Sequence, residues 1–472
     1  MKKVFYPLLI LGLLCFFLSS RVRAQVGTSQ YFLNILPQAN VNNPAFIAPD
    51  DFYFGFPALS NVHAQLYNNF LSWDRMVERG SDDSLRFNVP KLLGKIGTKA
   101  RIGLEVDEDI LRFGFRRKEN YFHVGLSLHA NANVVLTKKT LDFLLRGPGQ
   151  SMGNNDLSGN SVDINSYAYL YFGYARKVSK MVTVGGRVKI LNGLYNFNTK
   201  KLNIHWAVEN DQMENPNQTP YTYVMNVDGV LNTNLPLNED LKLGAFSLNI
   251  GKNWGLGLDF GVSVNFAKGW NFSASVLDLG FISWKSKTSS WVSINPNLNF
   301  PFQGLSFDFY NKDIRFDSLI KGAATELLDT LGFKRKDTKG YTTALPSTLL
   351  ASFCYTLSEK HQFGVVFKGQ FYNHYFDAEF GIAYTYTPCK NFAVSVNNTF
   401  CRGNALNFGI VLVGNLGPVQ LHLGVDRINS FNIATLRTVN VNFGINFLIG
   451  KQEIFSDKIA RAKLNKMSGQ PL

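Results

Sequence analysis

The chain has 472 residues, of which 45% are hydrophobic, 14% aromatic and only 17% charged, with a formal net charge of +14. Its 40 Phe, 19 Tyr and 40 Gly exclude a disordered chain and argue against a helical bundle. Beyond the first 20 residues no run approaches the ~18 apolar residues a membrane helix needs, which excludes a polytopic helical membrane protein.

Lys2 and Lys3 precede an apolar stretch from Val4 to Leu18, and Ser19-Ser20-Arg21-Val22-Arg23-Ala24-Gln25 follows. A basic start, an apolar centre and a small residue at the cut describe a secretory signal peptide over 1–24, cleaved between Ala24 and Gln25. Leu13-Leu14 before Cys15 do not suit a lipoprotein cleavage site. Three cysteines remain, Cys354, Cys389 and Cys401. That number leaves room for one disulfide but no disulfide framework. No CxxC or Cys/His cluster has zinc spacing, and nothing in the sequence calls for a metal or a cofactor.

Residues 25–50 do not read as a membrane strand. The run from Leu36 to Phe46 holds Pro37, Pro44 and the asparagines Asn40, Asn42 and Asn43. Asn before Pro favours a turn at Asn43-Pro44-Ala45. A segment of this kind ahead of a barrel can fold inward as a plug.

From residue 51 the dominant signal has period two. In 255–266, Leu256, Leu258, Phe260, Val262, Val264 and Phe266 fall on one face, and Asp259, Ser263, Asn265 and glycines fall on the other. A strand sends alternate side chains to opposite faces. The pattern recurs in 122–129, where His123 and His129 take the polar face, in 363–371, in 419–425 with Gln420 and His422, and in 439–449. A soluble sandwich and an outer-membrane barrel both give this alternation. Three features favour the barrel. The apolar positions stay filled over ~10 residues, the length of a tilted membrane strand. The polar face is rich in Gly, Ser and Asn rather than Lys and Glu. Aromatic residues crowd strand ends, as in Tyr167–Tyr174 and Phe371–Phe376.

The sequence therefore predicts an all-β fold, a transmembrane antiparallel β-barrel of 14–18 strands over residues 51–450, with small helices in its loops. Tight turns fall near Lys118–Asn120, Ser179–Lys180, Lys268–Gly269, Glu359–Lys360, Cys389–Asn391 and Leu416–Pro418. Long connections fall at 67–98, 137–160, 210–219, 311–340 and 429–436. With both termini periplasmic, the tight turns share one side and the long loops the other. Strands around 241–250 and 291–310 are weak in pattern. Helical spacing marks 138–146 and 314–331. Gly185-Gly186 and Pro346 interrupt two strands, by ordinary curvature or as a local opening. A basic tail, 451–472, lies beyond the last strand.

Three segments in order, LPQANVNNPAF at 36–46, FYFGFPALSNV at 52–62 and ASVLDLGFISW at 274–284, resemble a large uncharacterised outer-membrane barrel family of Bacteroidota. More distantly, Asn43-Pro44-Ala45 is similar to an element in the plug of the FadL-like transporters of long-chain fatty acids, which are 14-stranded barrels. PorV-like barrels of protein secretion share that superfamily. The resemblance implies either passage of small hydrophobic or amphipathic molecules or a structural role docking partner proteins at the loops or tail. The lumen positions His123, His129, Asp259, Ser263, Asn265, Gln420 and His422 would line a path. An outer-membrane hydrolase is the remote alternative; His374 and Asp377 are the one pair near an outer turn, no Ser lies close to them in sequence, and GxSxG is missing. The reading is a non-enzyme. Lys and Arg are scattered over turns and loops, which suits contact with outer-membrane lipid rather than nucleic acid.

Overall fold

A computed structural model describes residues 30–450 except 34, 147–154, 211–220, 237–249, 287, 294–297, 300–332, 338–339, 373–374 and 402–403. The signal segment, the basic tail, His374 and the expected helix over 314–331 lie outside the described residues, as does the weak strand near 241–249.

The chain forms a closed antiparallel barrel of 14 strands. In order they are β1 (Phe52–Gly55 and Val62–Asn68), β2 (Lys99–Arg117), β3 (Asn120–Thr137), β4 (Ser161–Lys177), β5 (Val182–Asn210), β6 (Trp254–Ala267), β7 (Trp270–Trp284), β8 (Tyr341–Ala344 and Ser347–Ser358), β9 (His361–Tyr372), β10 (Tyr375–Cys389), β11 (Phe392–Cys401), β12 (Asn404–Leu416), β13 (Val419–Ile428) and β14 (Thr438–Ile449). Each pairs with the next, and β14 closes on β1 through Phe52↔Ile449 and Val62↔Phe443. Closure removes the unpaired edges that an open sheet would expose.

The alternation sets which way each residue faces. Phe172, Phe260, Ile410, Leu412, Leu421 and Leu423 are exposed on the outside, whereas His123, Asp259, Gln420 and Asn446 are buried inside. Every polar residue of the inner face in 419–425 and 122–129 falls opposite such an outward apolar neighbour. Trp254 and Trp270 each open their strand and, because β6 and β7 run antiparallel, stand exposed at opposite ends of that pair.

Tight turns join β2–β3, β4–β5, β6–β7, β8–β9, β10–β11 and β12–β13, all at one end. Gly269 and Gly417 adopt positive φ in two of them, as does Lys118 in a third. The opposite end carries the long connections, together with two-residue connections between β9 and β10 and between β11 and β12. There the helices Val89–Lys95 and Lys138–Arg146 pack around Phe70, Leu92, Leu93, Ile96 and Leu141. Asn88 caps the first by accepting from the Lys91 amide at 2.7 Å. β5 overruns the barrel on that side: its first part pairs with β6, and its last part pairs with an additional strand, Tyr221–Thr233. Around 291–310 the described pieces are two short strands, Ser289–Ser293 and Leu298–Asn299, which pair with that additional strand.

The interruption expected at Gly185-Gly186 is not there. Both residues sit in continuous ladders, Gly185 opposite Ala175 and Gly261, Gly186 opposite Tyr174 and Phe260. The reason for glycine lies elsewhere. A Cβ on Gly185 would stand 2.3 Å from the Pro44 carbonyl oxygen, so the position lets the N-terminal segment approach the wall. β8 does break, at Leu345 and Pro346.

Candidate functional site

The N-terminal segment lies inside the barrel. It makes two short 3-10 turns, Gln30–Phe32 and Pro37–Val41, and is largely buried. Pro37 opens the second turn, where its missing N–H costs nothing. Asparagines that make the segment a poor strand suit a plug, because the amide side chain can satisfy backbone groups that lack a ladder partner, as Asn43 does. Asn43 Oδ1 accepts from the Ala45 amide at 2.9 Å, and Asn43 Nδ2 donates to the carbonyls of Val262 and Ala274, both at 3.2 Å. The turn is thereby fastened to β6 and β7.

Further contacts encircle the segment. Gln38 Nε2 donates to the Ser60 carbonyl at 2.8 Å and to Asn446 Oδ1 at 2.6 Å, and Asn446 Nδ2 returns a bond to Gln38 Oε1 at 3.1 Å. Gln420 donates to the Ile35 carbonyl at 3.0 Å, and Ser275 Oγ to the Asn42 carbonyl at 2.6 Å. Tyr31 meets the Ser273 hydroxyl at 2.8 Å. Phe32 packs in an apolar cluster with Leu277, Leu350 and Val366. Leu33 and Leu36 pack against Val411 and Val413.

Two buried arginines link the plug to charge on the wall. Arg112 on β2 pairs with Asp109 at 2.7 Å, bonds the Tyr53 hydroxyl at 2.9 Å and donates to Asn40 Oδ1. Arg187 on β5 donates to the Asn40 carbonyl at 2.7 Å and pairs with Asp259 at 3.0 Å. Lys189, two residues along the same face, bridges Asp259 at 3.0 Å and Asp278 at 2.6 Å. The chain of contacts thus runs from the plug through Arg187, Asp259 and Lys189 to Asp278. Two cations and two carboxylates balance, which is the condition for keeping such charges out of water.

Asp278 sits at a defect. Between Leu258↔Leu279 and Phe260↔Val276 the register shifts, so that Leu277 and Asp278 together oppose Asp259. Asp278 has φ +59°, and its amide donates to Asp259 Oδ1 at 2.8 Å. This is a β-bulge, which bends its strand. On the other side of β7 the ladder to β8 pairs Leu277↔Thr348 and Phe281↔Ala344, with residues 278–280 and 345–347 unpaired between them. Pro346 falls in the middle of that gap and has no N–H to give. The gap is spanned by Leu345 N donating to the Gly280 carbonyl at 2.9 Å and by Ser347 Oγ donating to the Asp278 carbonyl at 3.3 Å. Gly257 and Gly280 face each other beside it, so the wall there is thin.

The sequence-predicted residues separate into groups. Asp259 and Gln420 join the plug network. His123 and His422 face inward but are buried, His123 between the rings of Tyr121 and Tyr171. Ser263 is half-buried and accepts from Asn271 at 2.9 Å, and Asn265 is exposed near the tight-turn end. His129 lies apart from the plug, in a row with His63 and Asp107. Sequence reasoning missed Arg112, Arg187, Lys189 and Asp278. Asp278 had a signal: the outward phase runs Phe272, Ala274, Val276 and then Leu279, Phe281, a slip of one residue. Cys354 is buried and Cys389 exposed, both as free thiols.

A family model described as "Family of unknown function (DUF5723)" matches residues 44–426. The chain belongs to that family. No curated protein matches its sequence. Among solved structures, it is similar to the toluene transporter TbuX of Ralstonia pickettii at 9% identity and TM-score 0.43, covering 88% of this chain and 94% of that one. It is similar to the toluene transporter TodX of Pseudomonas putida at 9% and 0.39, covering 90% and 98%. A FadL homologue of Pseudomonas aeruginosa gives 9% and 0.39, covering 90% and 96%.

Proposed function

We propose that this DUF5723 protein sits in the outer membrane and passes small hydrophobic or amphipathic molecules. Its apolar outer face meets lipid, and residues 25–50 act as the plug that controls passage. The carrying observation is that the wall defect and the plug are one connected unit: the unpaired stretch between β7 and β8 is joined to the plug through Asp278, Lys189, Asp259 and Arg187. An apolar solute that reached the lumen would leave sideways through that thin, glycine-lined wall rather than cross the polar plug. The outer strand face offers it lipid on the far side.

The wall residues contribute binding and positioning rather than chemistry. Arg187 and Arg112 hold the plug carbonyls and Asn40 in place. Shifting the plug would take the Asn40 carbonyl away from Arg187, the residue that also pairs with Asp259 beside the bulge.

The second reading is a barrel that docks partner proteins at its loops or tail. The dense bonding between plug and wall favours it, since a plug that never moves would make the barrel a scaffold. Single-channel conductance of the purified protein in a planar bilayer, with and without residues 25–50, separates the two. Conductance that rises on deletion, together with saturable uptake of a fatty acid or aromatic hydrocarbon into vesicles, supports passage. A closed barrel in both forms favours docking.

A further inference from the structure

Away from the plug, three neighbouring strands place His63, Asp107 and His129 in a single row across the inner face. The register pairs His63↔Asp107 between β1 and β2 and Asp107↔His129 between β2 and β3. Glu105 lies two residues from Asp107 on β2 and so points to the same face. His129 Nδ1 stands 2.5 Å from Asp107 Oδ1, and His63 Nδ1 stands 3.5 Å from Asp107 Oδ2. One ligand atom from each of Glu105, Asp107 and His129 lies within 4.8 Å of the others.

We propose that this row is a binding site for one divalent transition cation of the zinc class, held by His129, Asp107 and Glu105, with His63 completing the set. Two features set the row apart from a simple ion pair. Two imidazoles converge on the two oxygens of one carboxylate, and a second carboxylate stands within reach, so imidazole and carboxylate donors meet on one patch of the wall. His63 Nε2 is also buried without a hydrogen-bond partner, a nitrogen free to ligate after a ring rotation. Mixed imidazole and carboxylate donors suit zinc and its neighbours better than calcium or magnesium, which prefer all-oxygen shells. Asp107 keeps 29% of its side-chain surface exposed, which gives the cation an entry. No sequence spacing announces the site, because strand register and not a local motif assembles it. The cation would tie β1, β2 and β3 together, and the proposal stands whether or not the barrel passes solutes.

The test uses the full folded protein in detergent micelles after dialysis against chelator. Zn2+ is titrated in competition with a chromophoric chelator, and Co2+ is added separately to read its visible d–d absorption. The expected result is one equivalent of Zn2+ and a Co2+ band. Asp107→Asn and His129→Gln should weaken Zn2+ by more than about 100-fold, beyond the 10–100-fold that outer-shell partners carry. His63→Gln should weaken it less, and His205→Gln, at an exposed pair with Asp156, should leave it unchanged. Folding of each variant is checked by heat-modified gel migration; if Asp107→Asn fails to fold, Glu105→Gln takes its place. Absence of stoichiometric Zn2+, retention of full affinity in His129→Gln, loss confined to His205→Gln, or equal affinity for Ca2+ would each overturn the proposal.

Discussion

Asp259 stands where the plug contacts meet the wall defect. It is fully buried and serves Arg187, Lys189 and the Asp278 amide at once. Removing one partner from a buried charge cluster leaves the others unbalanced, at a cost of about 3–5 kcal/mol. Asp259→Asn keeps the shape and removes the charge, so urea unfolding in micelles should show a loss approaching that size. An unchanged midpoint would mean that Asp278 alone balances both cations. Gly185 makes the complementary case, in which space rather than charge is decisive. The neighbour a Cβ would meet is backbone, the Pro44 carbonyl, and backbone cannot swing aside as a side chain tip can. Gly185→Val should therefore displace the plug turn at about 1–3 kcal/mol. Faster cleavage of residues 30–50 by added protease is the expected readout, with the barrel itself remaining folded.

At the scale of the strand, the facing assignment decides which substitutions are tolerated. Val262 and Ser263 are adjacent on β6 and point to opposite sides. Val262→Arg puts a charge against lipid and should cost about 2–4 kcal/mol near the bilayer midplane, measured as a shift in reversible folding into vesicles. Ser263→Arg enters the lumen face and should cost clearly less; equal costs would contradict the assignment. The same alternation explains what was legible in the sequence. Runs such as 255–266 and 439–449 state their faces outright, because lipid on one side and a filled lumen on the other impose different side chains at every second position. Plug residues were legible for the opposite reason, since Pro37, Pro44 and the asparagines break any strand. The ion network was not legible. Arg187 and Lys189 lie 70 or more residues from Asp259 and Asp278, and the register of β5, β6 and β7 joins them. Gly185-Gly186 misled because glycine in a strand signals either a bend or a close approach, and the partner making the approach, Pro44, is distant in sequence.

For the whole molecule, the question is whether the barrel wall opens. Fourteen strands around a lumen that holds the N-terminal segment leave an apolar solute two routes, down past the plug or out through the wall. The first requires breaking the paired Gln38–Asn446 amides, the Asn43 contacts and the Arg187 bonds together. The second requires widening a stretch where the β7–β8 ladder is interrupted and where, among the described residues, the Leu345 amide and the Ser347 hydroxyl bridge it. Local opening draws on the parts of a fold with the fewest backbone bonds, so the wall is the easier route. Pairing Leu279→Cys with Pro346→Cys tests it: the flanking pairs Leu277↔Thr348 and Phe281↔Ala344 put the two positions opposite each other, so a disulfide between them would pin β7 to β8 across the gap. Uptake of an apolar solute into vesicles should slow in the oxidised variant and recover on reduction. Removing residues 25–50 in the same background distinguishes the routes. If the wall is the exit, ion conductance rises on deletion but solute transfer to lipid stays slow; if solute transfer recovers fully, the path runs through the lumen and the β7–β8 gap is only curvature.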